Sequence, residues 1–281
     1  MERCGIILKK EIIMRVINLA SGSKGNCSFI EAGDTKVLLD AGLSLIEIEK
    51  RLALIGEKPE NIDAIIISHE HTDHIKGFYG FLKKYRARGY IHEEVYKVVE
   101  KNLSKVKDKL SFISIYPFNI HSLRVIPFSL PHDSVFCLGF VFEYKNKRVA
   151  FATDLGYMPP LALETMFGAS LVYIESNHDR KMLGGCKYPY IVKKRIMSEH
   201  GHLSNDQAAA VILELAKRGT KYFVLSHISE NSNTLELAYL TSAKVLEKNG
   251  FKLEKDVYLR YSRADRPGNN FYFGENDERN Q

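Results

Sequence analysis

The ten residues 68–77, SHEHTDHIKG, constrain this chain more than any other stretch, because they crowd three histidines and two carboxylates together. They begin directly after the apolar run of residues 65–67, which ends a predicted strand over residues 63–67. Crowded imidazoles repel one another once protonated, and a metal ion that binds their neutral forms removes that cost. Nitrogen and carboxylate ligands suit zinc, manganese or iron rather than calcium. The stretch therefore predicts a metal site at the end of a buried strand.

The spacing within this stretch predicts ligands for two ions. His69 and His71 are two residues apart, so on extended backbone both side chains point to one side. Asp73 and His74 come after a turn, with Thr72 as the predicted N-cap of a short helix. One segment thus presents two imidazoles to one ion, and a carboxylate with an imidazole to another.

Other polar residues stand where further predicted strands end. Those that follow the strands predicted over residues 123–128, 148–153 and 222–225 are, in order, His132, Asp154 and His227. Asp40 ends a predicted strand as well, and a carboxylate there would orient a ligand histidine from behind. Each of these residues taken alone is better explained as a polar strand cap, since polar residues commonly end strands. His92 and His121 lack such positions and are predicted to be surface or packing residues.

Strands in runs, with helices between them at intervals, predict one α/β domain over residues 14–262. The pattern suggests two sheets, each covered by helices on its outer face, without requiring that arrangement. Residues 1–13 are predicted to be an upstream extension that the fold does not need. Residues 263–281 are rich in Asn, Asp, Arg and Gly and are predicted to form a loose tail.

Composition limits the cellular context. No apolar run reaches the ~18 residues of a membrane span, and residues 1–14 make a poor signal peptide. The four cysteines contain no C-x-x-C pair, which favours free thiols in a reducing cytosol. The sequence therefore predicts a cytoplasmic protein without a membrane partner, of unspecified oligomeric state. Its formal net charge of +6 is compatible with a polyanionic partner but does not require one.

The motif His69-x-His71-x-Asp73-His74 resembles the signature of the metallo-β-lactamase fold, and the other strand-end residues follow in that family's order. The resemblance extends from residue 14 to about residue 261. It implies an α/β fold, an αββα sandwich of two mixed sheets flanked by helices, with two divalent ions, zinc or manganese, at one edge. It also implies that the first ion is held by His69, His71 and His132 and the second by Asp73, His74 and His227. Asp154 would bridge the two ions.

Several segments narrow the resemblance. LASGSKGNCSFIE, LLDAGLS, ATDLGYM, ESNHD, GHLSNDQAA and LSHISENSN together resemble the YycJ (WalJ) group of bacterial cytoplasmic proteins. That likeness implies an exonuclease acting 5′ to 3′ on duplex DNA, with a part in mismatch repair. The second half is similar to ribonuclease Z, with Glu175 and His202 at two of its motifs. The chain departs from that family at residues 176–178 and in lacking an obvious long tRNA-gripping arm.

These residues predict phosphodiester hydrolysis. Two ions that share a hydroxide clamp a phosphate, and His202, paired with Glu175, is the candidate proton donor to the leaving group; Asp73 completes the predicted catalytic set. His202 alone is equally explained as a polar residue before a helix N-cap. Predicted substrate contacts are His178, Asn26, Lys193, Lys194 and Arg195. For the three basic residues a solvated helix face is the alternative, and for His178 a solvated loop.

Three other functions use the same residues. A thioester or lactam hydrolase would share the fold, an RNA-processing nuclease would share the Glu175–His202 pair, and a regulator would retain the metal without catalysis. The basic clusters and that pair favour a nuclease over a small-molecule hydrolase. The full ligand set with a proton donor argues against a regulator.

Overall fold

The computed structural model describes residues 12–274 and 278–280. Its strands, in chain order, are β1 (Ile12–Ala20), β2 (Cys27–Ala32), β3 (Thr35–Leu39), β4 (Ala64–Ile66), β5 (Arg88–His92), β6 (Leu110–Ile113), β7 (Phe118–Ile120), β8 (Leu123–Leu130), β9 (Cys137–Tyr144), β10 (Lys147–Ala152), β11 (Leu171–Glu175), β12 (Tyr222–Ser226), β13 (Tyr258–Tyr261), β14 (Asn270–Gly274) and β15 (Glu278–Asn280). Its α-helices are α1 (Leu45–Leu54), α2 (Thr72–Ile75), α3 (Phe78–Lys84), α4 (Glu93–Leu103), α5 (Pro160–Thr165), α6 (Arg180–Gly185), α7 (Tyr190–Ile196), α8 (Asn205–Lys217) and α9 (Leu235–Lys248).

The strands form two mixed sheets. The first has the order β15-β14-β1-β2-β3-β4-β5-β6, and the second has the order β13-β12-β11-β10-β9-β8-β7. Pairing is parallel from β3 to β6 and from β10 to β13, and antiparallel elsewhere. The predicted fold class, two mixed sheets flanked by helices, is confirmed.

Three apolar clusters define the layers. One lies between the sheets and joins Val16 of the first sheet to Phe140 of the second. The other two lie beneath the helices: Ile17 packs with α1 and α3, while Val172 packs with α8 and α9. Neighbours Val16 and Ile17 enter different clusters because successive strand residues face opposite sides of a sheet. Burial on both faces explains why the central strands are continuous apolar runs.

The chain ends differ from the prediction. The loose tail is wrong for residues 270–274, because β14 pairs antiparallel with β1. Phe271 and Phe273 of β14 are buried in the cluster between the sheets. At the other end, β1 begins at Ile12, so the last two residues of the predicted extension belong to the sheet. Residues 1–11 of that extension lie outside the described residues.

The patterns Ser44–Glu47 and Ser204–Gln207 each predict a helix N-cap, and the structure has both caps. Ser44 accepts a hydrogen bond from the backbone N of Glu47 at the start of α1. Ser204 and Gln207 form a complete capping box at the start of α8. Across the described parts of the chain, no helix is both long and apolar enough to cross a bilayer.

Candidate metal centre

Parallel strands bring the polar strand-end residues to one edge of the sandwich. Asp40 follows β3 and His69 follows β4 in the first sheet. Asp154 follows β10, Glu175 ends β11 and His227 follows β12 in the second sheet. Because the carboxyl ends of neighbouring parallel strands lie at the same edge, these residues meet although the chain separates them widely.

A first ligand group consists of His69, His71 and His132, whose ligand nitrogens lie within 4.8 Å of one another. His132 Nε2 is 3.3 Å from His71 Nδ1, and His132 Nδ1 is 3.2 Å from the Gly201 carbonyl oxygen. Donation of the Nδ1–H to that carbonyl leaves the Nε2 lone pair for an ion. His69 Nε2 is buried without a hydrogen-bond partner in the described structure.

A second group consists of Asp73, His74 and His227. Asp73 Oδ2 lies 3.6 Å from His74 Nε2 and 3.7 Å from His227 Nε2. Both imidazoles use Nδ1 for a carboxylate, His74 with Asp40 at 2.8 Å and His227 with Glu175 at 2.8 Å. These contacts orient both rings and leave each Nε2 toward Asp73.

Asp154 stands between the two groups. Its Oδ2 lies 3.3 Å from His74 Nε2, and its Oδ1 lies 4.0 Å from His132 Nε2. The side chain is buried, and Oδ2 has no hydrogen-bond partner among the described residues. Asp154 therefore has one oxygen available to each ligand group.

The electrostatics of the cluster fit bound cations. Burial by itself lowers the pKa of an imidazole, but Asp40 and Asp154 outweigh it and raise the pKa of His74 well above its usual value. Asp154 outweighs burial at His227 in the same way, and the pKa of His227 is also raised well above its usual value. The buried carboxylates thus favour a positive charge at His74 and His227. A bound metal ion would supply that charge in place of the imidazole protons, and the His/Asp clusters are able to bind metal.

Several site residues hold unusual backbone conformations. Asp40, Asp154 and His227 have φ values of 61°, 64° and 52°, which lie in the left-handed region. That conformation costs roughly 1–3 kcal/mol for a non-glycine residue, and it persists where surrounding contacts determine it. Asn177 supplies one such contact, because its Nδ2 donates to the His227 carbonyl oxygen at 2.9 Å.

The α2 turn differs slightly from its prediction. The helix begins at Thr72 with His71 as N-cap, one residue before the predicted cap. The backbone carbonyl of Asp73 accepts a hydrogen bond from the Asn26 N at 2.7 Å. The side chain of Asn26 is also turned to this site, with Nδ2 3.2 Å from Asp73 Oδ2. Asn26 is 7% exposed, so its contacts support a predicted ligand and do not form an open substrate surface.

Gly42 packs directly against this turn and provides a test of it. A Cβ at Gly42 would overlap the Asp73 carbonyl and lie 2.7 Å from the Asn26 N, both of which are backbone atoms. We expect Gly42→Ala to destabilise the protein by about 1–3 kcal/mol and to lower metal occupancy of the second group. Thermal unfolding and elemental analysis measure both effects. Gly184→Ala is the matched control, since nothing lies within 4 Å of a Cβ there. Equal behaviour of the two variants would contradict the packing argument.

Glu175 connects a predicted ligand to the predicted proton donor. Its Oε1 lies 2.8 Å from His227 Nδ1 and 2.8 Å from His202 Nδ1. Its Oε2 accepts from the backbone N of Leu155 and of Leu203. Burial would raise the pKa of Glu175, but His202 and the hydrogen bonds lower it to about 2. Glu175 therefore stays ionised over the whole physiological range.

His202 lies at the rim of the site. Its ring centroid is 5.2 Å from those of His132 and His227, so it is equally close to both ligand groups. Burial lowers the pKa of His202, but the charge and hydrogen bond of Glu175 outweigh it, and the net shift is upward. Ligand atoms of His202, Glu175, Asp154 and His227 also lie within 4.8 Å of one another. Because both imidazoles make Nδ1 hydrogen bonds to Glu175, we interpret this group as a hydrogen-bonded network.

The predicted substrate contacts fall in different places. His178 is 2% exposed, and burial lowers its pKa to about 4, so it is a neutral buried side chain. Lys193 donates from Nζ to the Gly184 carbonyl at 2.6 Å, and Lys194 lies on α7, which buries no residue. Arg195 forms an ion pair with Asp133, the neighbour of His132. Of the three basic residues, Arg195 is thus the one that contacts the edge of the first ligand group.

Sequence reasoning missed two residues that hold the centre in place. Ser68 donates from N to Asp40 Oδ1 at 2.8 Å, and its Oγ lies 3.0 Å from His69 Nδ1. Asp133 anchors Arg195. Both are direct neighbours of predicted ligands, and that adjacency was the available signal. His92, predicted to be a surface or packing residue, stacks on Phe136 with 3.8 Å between ring centroids.

Comparison with known proteins agrees with the resemblances that the sequence motifs indicate. Residues 35–228 match the model of the Beta-lactamase superfamily domain. Exodeoxyribonuclease YycJ of Bacillus anthracis is 32% identical over 237 residues, covering 83% of this chain and 89% of that protein. Ribonuclease Z of Clostridium perfringens is 25% identical over 232 residues, covering 80% and 66%. The metallo-β-lactamase fold protein YhfI from Bacillus subtilis superposes with a TM-score of 0.70 at 17% identity, covering 91% and 98%. Both resemblances inferred from the motifs are confirmed.

Proposed function

Because the chain belongs to the β-lactamase superfamily and is similar to the YycJ (WalJ) exodeoxyribonucleases over most of its length, we propose that it is a metal-dependent exonuclease acting 5′ to 3′ on duplex DNA. One observation carries the proposal. Asp154 lies between the two ligand groups, and a histidine held by a buried carboxylate stands beside both. This arrangement suits the hydrolysis of a phosphodiester, which needs charge stabilisation at two oxygens and a proton for the leaving group.

The proposed ligands are those implied by the family resemblance, and their orientations support it. The first ion would be held by His69, His71 and His132, the second by Asp73, His74 and His227, with Asp154 bridging them. Two divalent ions, zinc or manganese, would supply Lewis acidity and lower the pKa of a shared water. Asp40 and Glu175 keep the Nδ1–H of His74 and of His227 engaged, which fixes the tautomer that presents Nε2.

The chain itself supplies the proton in this proposal. Glu175 accepts the His202 Nδ1–H, which leaves the second ring nitrogen, Nε2, to carry the transferable proton. The Glu175 charge raises the pKa of His202 and so favours the protonated ring that a general acid needs. Donation from Nε2 to the leaving oxygen then completes the cleavage of the phosphodiester.

Nucleic acid is the proposed partner, and DNA repair in the cytoplasm is the proposed setting. Arg195, held by Asp133 beside the first ligand group, is placed to contact a substrate phosphate, with Lys194 on the same exposed helix. Among the described cysteines, Cys27, Cys137 and Cys186 are free, which supports a reducing compartment.

The experiment that tests the function compares substrates under one set of conditions. End-labelled duplex DNA, single-stranded RNA and a thioester are each incubated with the metal-loaded protein, with and without a chelator. We expect products released stepwise from the 5′ end of DNA, and no release after chelation. Stepwise cleavage of RNA alone would favour an RNA-processing nuclease, and turnover of the thioester alone would favour a small-molecule hydrolase. Either result would contradict the proposal.

A further inference from the structure

A cavity of about 670 Å³ opens between strand β13 and the segment that leads into β14. Six of its lining residues define what we call the tyrosine groove: Tyr239, Arg260, Tyr261, Arg263, Asn269 and Tyr272. Its volume falls within the ~300–1,000 Å³ range of ligand pockets. None of the residues assigned to the metal centre lines it.

The tyrosine groove is connected directly to the second ligand group. The Arg263 carbonyl accepts a hydrogen bond from the Ser21 N at 3.0 Å. Ser21 Oγ in turn accepts from the backbone N of His227 at 2.8 Å. Two hydrogen bonds therefore join the groove to a predicted ligand. Arg195 instead pairs with Asp133, the neighbour of His132 in the first ligand group.

The lining combines aromatic faces with a cation. All three tyrosines are half-buried. Arg260 is committed to Glu254, with its two terminal nitrogens 2.6 and 2.9 Å from the carboxylate oxygens. Arg263 is different, because its side chain is 34% exposed and its ion-pair neighbour Asp265 is 3.5 Å away and largely exposed. The Arg263 guanidinium is thus the lining cation best able to meet a phosphate.

We propose that the tyrosine groove binds unpaired nucleotides of the nucleic acid whose scissile phosphate lies at the metal centre. Bases stack on the tyrosine rings, and a backbone phosphate contacts Arg263. The proposal rests on the proposed nuclease function. Unpaired nucleotides are the fitting ligand because only splayed bases expose a π-face to a side chain, whereas paired bases are stacked on each other.

The test compares a short blunt duplex with the same duplex carrying an unpaired tail at one end or the other. All of these duplexes carry non-hydrolysable linkages, and their binding to the full-length protein is followed by fluorescence anisotropy. We expect one tail to tighten binding by about tenfold, a typical contribution of one stacked base. Tyr261→Leu, which keeps an apolar side chain, and Arg263→Gln should each remove most of this gain and leave affinity for the blunt duplex unchanged. Arg263→Gln should also lower the salt dependence of tailed-duplex binding by about one phosphate contact.

Matched controls and a second measurement separate the groove from the rest of the surface. Arg266→Gln changes an exposed arginine of the same loop, and Tyr116→Leu changes an exposed tyrosine between β6 and β7, at the opposite edge of the sandwich. Both should keep the full gain. Photocrosslinking of tails containing 5-iodouracil should label peptides that carry Tyr239, Tyr261 or Tyr272.

The outcomes for the groove and for the nuclease function are distinct. Cleavage of blunt duplex by the unaltered protein, with no tail effect and no crosslink in the groove, would contradict nucleotide binding in the groove. The same result would still support the nuclease function. Crosslinks confined to α7 would also overturn it. A tail that binds and crosslinks in the groove of a protein that cleaves no DNA would instead support the groove and contradict the nuclease function.

Discussion

Asparagine in place of Asp154 is expected to lower DNA cleavage by about 10³-fold or more, since metal ions contribute several kcal/mol of transition-state stabilisation. Asp154 is buried, and its pKa is held well below the usual value, because His227 and His74 outweigh the effect of burial. It therefore stands as a carboxylate between the ligand groups. An amide of the same shape has no charge and one acceptor oxygen, so it cannot serve both groups.

Elemental analysis of the metal-loaded protein measures whether the loss of cleavage comes from a loss of metal ions. We expect about two divalent ions per chain in the unaltered protein and a clear deficit in Asp154→Asn. Asp73→Ala and His74→Ala should each deplete one ion in preference to the other. Asp34→Asn, which changes an exposed aspartate in the turn between β2 and β3, is the control and should retain metal and activity. Full metal content with full activity in Asp154→Asn would refute the bridging role.

Replacing His202 by alanine is expected to reduce turnover by about 10²–10⁴-fold, the contribution typical of a general acid. Metal content and DNA affinity should stay unchanged, because the proposed ligand set is complete without His202. His200→Ala is the matched control, since His200 is an exposed histidine two residues away. If His202→Ala loses an ion, then the group of His202, Glu175, Asp154 and His227 binds metal and His202 is a ligand.

A changed leaving group tests the proton transfer itself. Duplex DNA with a thiol leaving group at the scissile position needs no proton on departure, so it should be cleaved almost equally by His202→Ala and the unaltered protein. A purely structural role for His202 would slow cleavage of both substrates alike. Failure of the thiol substrate to rescue the variant would therefore exclude the general-acid role.

Glu175→Gln tests the partner of that histidine through pH. The Glu175 charge raises the pKa of His202, and a general acid must be protonated, so activity falls as pH rises through that pKa. Without the charge, the pKa of His202 falls, and the basic limb of the pH–rate profile should move to lower pH. The loss of rate at low pH should be smaller than in His202→Ala. An unmoved basic limb would show that Glu175 does not set the protonation of His202.

The sequence by itself determined the features that depend only on residues close together in the chain. Alternation in the stretch around His69 and His71, and the capping residues Ser44 and Ser204, act within a few positions, so local periodicity predicts them. The polar residues at the predicted strand ends were identifiable for the same reason. Their assignment to one site came from the family resemblance, because local pattern does not say which strands become neighbours.

Only the tertiary structure decided the features that join distant segments. β14 pairs with β1, which lies near the other end of the sequence. The apolar side chains of Phe271 and Phe273 identify a buried strand only once that pairing is known. Asn26 meets Asp73, and Arg195 meets Asp133, through contacts that span many residues. Such contacts depend on sheet order and on left-handed backbone at strand ends, which tertiary packing stabilises against its local cost. The tyrosine groove is of the same kind, because it exists only where α9, β13 and the approach to β14 converge.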